Sequence, residues 1–251
     1  MKILVLPDVQ AKDGTDFGFL TSIGNYIVSK RPDTIVCIGD FSDMESLSSY
    51  DRGLKSFEGR SYQKDIWSAR EAMDALLTPL YEYNKERKRQ KQKPYKPRMV
   101  LTLGNHENRI NRAINEDRKL EGLISVGDLP YQDWEVYDFL EVVLIEGIAF
   151  SHYFTSGTMG RPVGTAAALL SKKHMSCVAG HQQGRQIAYA KRADGKDMTA
   201  LIIGSCYEHW EEYLGGMQGN LHWRGLYLLH NCSDGAFDEC AVPLAYIKEN
   251  Y

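Results

Sequence analysis

The chain has 251 residues, 43% apolar and 25% charged, which excludes a largely disordered protein and allows one α/β domain or two small ones. A formal charge of -3 excludes a surface that grips nucleic acid as a whole, though not a local basic patch. No run reaches the roughly 18 apolar residues of a membrane span, and the opening KILVLPDVQ reads as a strand without a signal-peptide cleavage site. Five cysteines show no CxxC spacing and lie mostly in or beside apolar runs, as reduced buried thiols do. A cytoplasmic setting is expected, in a cell or in a virus-infected host.

Ile3 to Leu6 is an unbroken apolar run, the mark of a strand covered on both faces, and Pro7 stops it before Asp8. Phe19, Leu20, Ile23, Ile27 and Val28 recur at helical spacing, and Pro32 closes that helix. Thr34 to Ile38 is a second strand, ending in Gly39-Asp40; this β-α-β opening is the strongest fold signal. Residues 41 to 60 read as a polar loop with short helical turns. Ile66, Ala69, Met73, Leu76, Leu77, Leu80 and Tyr81 form the apolar stripe of a long helix in which Pro79 is expected to make a bend. From Lys85 to Arg98 the charges are eight basic and one acidic.

Met99 to Leu103 is a third buried strand, and Gly104-Asn105-His106-Glu107 follows at its carboxyl end, where parallel sheets keep their sites. A polar helix then runs to about Lys119. Strands are read at Glu135 to Glu141 and Val142 to Phe150, the second split by a Glu146-Gly147 turn. Gly157 to Gly164 is a loop, and Thr165 caps a helix through Leu170. Further strands are read at Ser176 to Ala179, Gln186 to Ala190, Thr199 to Ile203, Trp223 to Leu229 and Ala241 to Ile247.

Asp8, Asp40, Asn105, His152 and His181 each follow an apolar strand-like run. Singly each has a plainer reading: Asp8 and Asn105 as helix caps, either histidine as a hydrogen-bonded half-buried residue. Together, with glycine directly before Asp40, Asn105 and His181, they form an oxygen and nitrogen donor set suited to a divalent metal.

The order DVQ at 8–10, GDFSD at 39–43, GNHE at 104–107, SH at 151–152 and GHQQ at 180–183 resembles that of the calcineurin-like metallophosphoesterases. Their series runs Asp-x-His, Gly-Asp-x-x-Asp, Gly-Asn-His-Glu, a lone His, then Gly-His-x-His. The resemblance implies an α/β fold of two mixed sheets packed as a sandwich flanked by helices, one domain over 1–251 with a helical and basic insertion at about 41–98. It also implies two divalent ions, Mn2+ before Mg2+, Fe, Zn2+ or Ni2+. Asp40 bridges them, Asn105, His152 and His181 complete the second site, and Asp8, Gln10 and Gln183 are left to build the first. Glutamine stands at both places where the family has a first-site histidine, and its carbonyl is a neutral, harder donor than imidazole. That site therefore holds Mn or Mg through oxygens, fills only when substrate phosphate adds ligands, or stays empty; a buried Asp8 favours occupancy.

By the same likeness His106 is a general acid over the leaving-group oxygen, while water acidified by the metals attacks phosphorus in line. Asp43 or Glu107 is expected to orient His106 or a ligand, with helix capping the plainer role for Asp43. Arg109 and Arg161 are candidate phosphate clamps and Tyr153 a candidate stacking ring. His174, His209, His222 and His230 match no motif and read as structural. The expected function is metal-dependent phosphoester hydrolysis, a phosphodiester of nucleic acid or a nucleotide ahead of a monoester. A noncatalytic scaffold with a degraded metal site is the alternative. The basic strip 85–98 offers DNA or RNA a contact held by charge, or is a solvated helix end.

Overall fold

In the computed structural model, which describes residues 1–49, 57–211 and 214–251, the first strand is buried on both faces. Strand β1 (Ile3–Leu6) turns Ile3 and Val5 one way and Leu4 and Leu6 the other, and all four are fully buried. Helix α1 (Gly18–Lys30), strand β2 (Thr34–Cys37), helix α2 (Tyr62–Arg89) and strand β3 (Arg98–Thr102) follow. Helix α3 (Arg109–Glu116) and strand β4 (Glu135–Tyr137) complete this half, and β1 to β4 lie parallel. The chain then forms β5 (Val143–Ile145), β6 (Ile148–Ser151), helix α4 (Ala166–Lys173), β7 (Cys177–Ala179), β8 (Arg185–Lys191) and β9 (Asp197–Ile203). A short helix α5 (Gly216–Asn220) precedes β10 (Gly225–Ser233), β11 (Ala236–Pro243) and helix α6 (Leu244–Asn250).

The strands make two mixed sheets, a six-stranded one in the order β11-β10-β1-β2-β3-β4 and a five-stranded one in the order β5-β6-β7-β9-β8. Strand alternation decides the layers. Ile3, Val5, Val36 and Ile38 of the first sheet meet Ile148, Phe150, Val178, Leu201 and Ile203 of the second, forming a sandwich core. Leu4, Leu6, Ile35 and Cys37 face outward onto α1, α2 and α6, while α4 covers the outer face of the second sheet. The sandwich implied by the sequence motifs is the observed fold. Among the described residues no helix is long and apolar enough to cross a membrane.

Several local readings change. Ala241 to Ile247 is strand only to Pro243, where β11 stops, and α6 begins at Leu244. Proline has no N–H for the ladder, and Leu244 and Ile247 bury at helical spacing against the first core. Glu135 to Glu141 is strand only to Tyr137, because the chain turns at Leu140, whose φ is 68°. Helix α2 continues unbroken across Pro79, and Tyr81 is exposed, its hydroxyl donating to Asp133 at 2.6 Å. The loop expected at 41–60 contains a 3-10 turn at Glu45–Leu47, and its part at 50–56 lies outside the described residues.

The basic strip is placed by its neighbours. Tyr95 Oη donates to Pro32 O at 2.6 Å, Asn84 bonds the Tyr95 backbone, and Arg98 N donates to Asp33 O. Residues 85–98 therefore lie at the amino-terminal ends of β2 and β3, whereas Asp40 and Asn105 lie past their carboxyl ends.

Helices α1 and α2 cross where Gly24 meets the backbone of α2. A Cβ on Gly24 would stand 2.4 Å from Leu76 O and 2.8 Å from Pro79 Cγ. Gly24→Ala should therefore force the helices apart and destabilise the protein by about 1–3 kcal/mol, the usual cost of overpacking. Denaturant unfolding checks this; an unchanged midpoint would show that the crossing has room.

Candidate metal centre

The loops leaving β1, β2 and β3 are held to one another before any ligand is considered. Gln10 N donates to Asp40 O at 2.8 Å, Ala11 N to Phe41 O at 2.8 Å, and Asp43 N returns to Ala11 O at 3.0 Å. Glu107, fully buried, gathers the rest. Its Oε1 accepts from Phe41 N at 2.7 Å, Ser42 N at 3.0 Å and Tyr131 Oη at 3.0 Å, and its Oε2 from Asp40 N at 3.0 Å and Gly104 N at 2.9 Å. Glu107 does not touch His106 through its side chain; it fixes the backbone that carries Asp40. The glycines before two ligands make room for carboxylates. A Cβ on Gly104 would lie 2.0 Å from Asp40 Oδ1, and one on Gly180 would lie 2.8 Å from Asp8 Oδ1.

The second site converges as the motifs require. Asn105 Oδ1 lies 2.9 Å from His152 Nε2 and 2.8 Å from His181 Nδ1, and Asp40 Oδ2 lies 3.3 Å from His152 Nε2. Ligand atoms of Asp40, His152 and His181 fall within 4.8 Å of one another. His152 Nδ1 donates to Ile38 O at 2.9 Å, so in the neutral ring Nε2 is a bare acceptor. It faces the acceptor oxygens of Asn105 and Asp40. Acceptors aimed at acceptors need a proton or a cation between them, and this donor set fits a divalent metal. The charges agree. Burial opposes a charged His152, yet Asp40 beside it raises the ring to about 9, a field that favours positive charge here. Burial and His152 together lower His181 to about 4, leaving a neutral imidazole.

The residues expected to form a first site meet here: Gln10 and Gln183 line the same cleft as Asp40, and Gln183 bonds Asp8. Burial opposes charge on Asp40, but His106 and His152 hold its carboxyl well below the usual range. Burial and the Asp40 carboxylate instead push Asp8 up to about 7, so the pair carries more negative charge than its surroundings relieve. Asp8 Oδ1 accepts from His181 N at 3.2 Å and Oδ2 from Gln183 Nε2 at 3.2 Å. Gln183 Oε1 is buried with no hydrogen-bond partner, and Gln10 is buried at the cleft floor. An orphaned amide oxygen next to two carboxylates fits an oxygen-liganded cation.

His106 stands outside the ligand cluster. Its Nδ1 is 2.7 Å from Asp43 Oδ1 and its Nε2 is 3.7 Å from Asp40 Oδ2. Asp43 is therefore its orienting partner; burial opposes that charge, but His106 and then Arg109 hold the carboxyl at about 2. Burial, the largest influence, opposes a charged His106, but Asp40 and Asp43 together outweigh it, so the ring's proton affinity is raised. Arg109 is engaged, donating from Nη1 to Asp43 O at 2.8 Å and Oδ1 at 3.1 Å, with Nη2 3.3 Å from His106 Nε2. Tyr153 packs its ring 4.7 Å from His181 and bonds Gly160 O, so it supports a ligand where a free stacking ring was expected. Arg161 is exposed and is not brought to the cleft.

The centre opens into a cleft of about 780 Å³. Its outer walls include residues that carried no motif: Lys12, Glu45, Arg60, Glu211 and His222. His222, read from the sequence as structural, accepts from Ser205 Oγ at 2.8 Å and donates from Nδ1 to Gly219 O at 2.9 Å. Ser205 also bridges Asp8 and Arg224: Cys206 N donates to Asp8 O at 2.9 Å and Gly225 N to Ser205 O at 3.0 Å. Lys12 spaced two residues after Gln10 was the available hint; the others come from distant stretches.

A family model described as calcineurin-like phosphoesterase matches residues 1–182, which contain every motif except Gln183. No curated protein matches the chain.

Asp40 lies against His152 and His106 and beside Asp8, so Asp40→Ala should lose nearly all bound metal on dialysis, whereas His106→Ala should retain it. Elemental analysis of both dialysed variants decides this. Metal loss from the His106 variant would make His106 a ligand.

Proposed function

The chain belongs to the calcineurin-like phosphoesterase family, and on that premise we propose that it is a manganese-dependent phosphodiesterase acting on a nucleotide or nucleic acid. The observation that carries the reading is the acceptor cluster of Asp40, Asn105, His152 and His181 with the His106–Asp43 pair at its rim. Carboxylate, amide oxygen and imidazole suit Mn2+, and the all-oxygen set of Asp8, Gln10 and Gln183 favours a hard ion at the first site. When bound, the ions supply positive charge for a phosphate ester and acidify the attacking water.

The protein's own groups do the rest. Asp43 anchors His106 through Nδ1, and a proton carried on Nε2 would serve the leaving oxygen. Arg109 fixes Asp43 and thereby the ring. The cleft, within the roughly 300–1,000 Å³ of small-molecule sites, has room for a nucleotide.

His106→Ala should cut kcat by about 10²–10⁴-fold, the usual share of a proton donor. Assay of an aryl phosphodiester and the matching monoester with Mn2+ tests activity and preference together; no hydrolysis of either by wild type would refute the reading. The glutamines generate a second expectation. Activity should demand free Mn2+ above that needed to fill the second site, and Gln10→His with Gln183→His should tighten the first site and shift it towards Zn2+ or Co2+. Calorimetric titration alongside rate decides; full activity with one ion per chain would sink the two-ion account.

The basic strip supports nucleic-acid contact only at the opposite end of the sheet from the metals. Neutralising Lys88, Arg89, Lys91 and Lys93 should weaken single-strand binding and flatten its salt dependence while leaving aryl-ester hydrolysis unchanged. An unaltered affinity across salt concentrations would reduce the strip to a solvated surface.

A further inference from the structure

The outer walls of the cleft have a property that bears on what lies beyond the scissile phosphate. Three cations line them, and each is matched by a carboxylate. Lys12 Nζ is 2.9 Å from Glu211 Oε1, Arg60 Nε is 3.3 Å from Glu45 Oε2, and Arg109 Nη1 is 3.1 Å from Asp43 Oδ1. For His222, the ring on the same wall, burial lowers the proton affinity, with Arg224 adding to the effect. Among the described residues, positive charge in excess of negative is therefore available only where the metals would sit.

Glu211 is the most constrained member of the wall. It is buried, its Oε1 receives both Lys12 Nζ and His209 Nε2, the latter at 2.6 Å, and its backbone is clamped by Asn220 through bonds of 2.8 and 2.9 Å. A carboxylate fixed at the edge of a cleft accepts from hydroxyl or amine groups and repels a second anion. It comes from the part of the chain beyond the family match.

Resting on the phosphodiesterase reading, we infer that the substrate is a small phosphodiester whose only charge is at the phosphorus attacked. Its remaining bulk is a neutral, hydroxyl-bearing group of nucleoside size, and Glu211 is the specificity residue that accepts from that group. A polynucleotide or a nucleoside polyphosphate would lay a further anion against Glu211 and Glu45, where no unmatched cation among the described residues receives it.

Calorimetry on Mn2+-loaded protein with thymidine monophosphate and thymidine bisphosphate tests this without turnover. Wild type should bind the monophosphate at least ~10-fold more tightly. Glu211→Gln should weaken the monophosphate severalfold and narrow the gap, and Glu45→Gln should narrow it by easing the bisphosphate, with melting temperatures confirming that both variants fold. Equal or tighter binding of the bisphosphate by wild type overturns the inference, as does a Glu211→Gln effect identical for both ligands. Hydrolysis of bis(p-nitrophenyl) phosphate in the same samples judges the catalytic reading separately. Discrimination without hydrolysis would leave Glu211 its role and remove the enzyme.

Discussion

One buried carboxylate holds this site together. Glu107 takes four backbone N–H groups and a tyrosine hydroxyl, all from the loops after β2 and β3 and from Tyr131. Such a group is tolerable in an apolar interior only because every contact is a donor aimed at negative charge. The amides in turn have no strand partners, since both strands have ended. Each need answers the other, and the result is a loop geometry that places Asp40 between the histidines without help from the ligands.

Much of this was legible in the sequence. β1, β2 and β3 are apolar on both faces because one face meets the second sheet and the other meets helices, so they read as continuous runs. The ligands were legible because each follows such a run. Val242-Pro243-Leu244 misled, since an apolar stretch around a proline has no decisive period and the boundary depends on packing against the first core. Glu107 lies in the motif, yet its task as an amide clamp cannot be seen without the backbone it receives. The walls were least legible. Lys12 meets Glu211 across 199 residues, and an ion pair of that separation leaves no local pattern.

The glutamines show how a changed donor is accommodated. Gln183 reaches Asp8 through its amide nitrogen while its oxygen is buried without a partner. Gln10 adopts a φ of 47°, as Asp40 does with 50°, which aims both loops inward at the cost of local strain.

Ser205 joins two parts of the molecule that differ in kind. On one side it is paired with Asp8, in the metal loop; on the other with Arg224, at the base of the wall that carries Glu211. A ligand seated against the wall and an ion seated at Asp8 thus press on the same stretch of backbone. Whatever free energy one contributes to the other is returned in equal measure, because linkage between bound species is reciprocal. Occupancy by an ion at Asp8 and affinity for a group at the wall would then be two readings of a single coupling, and neither constant would belong to one end of the cleft alone.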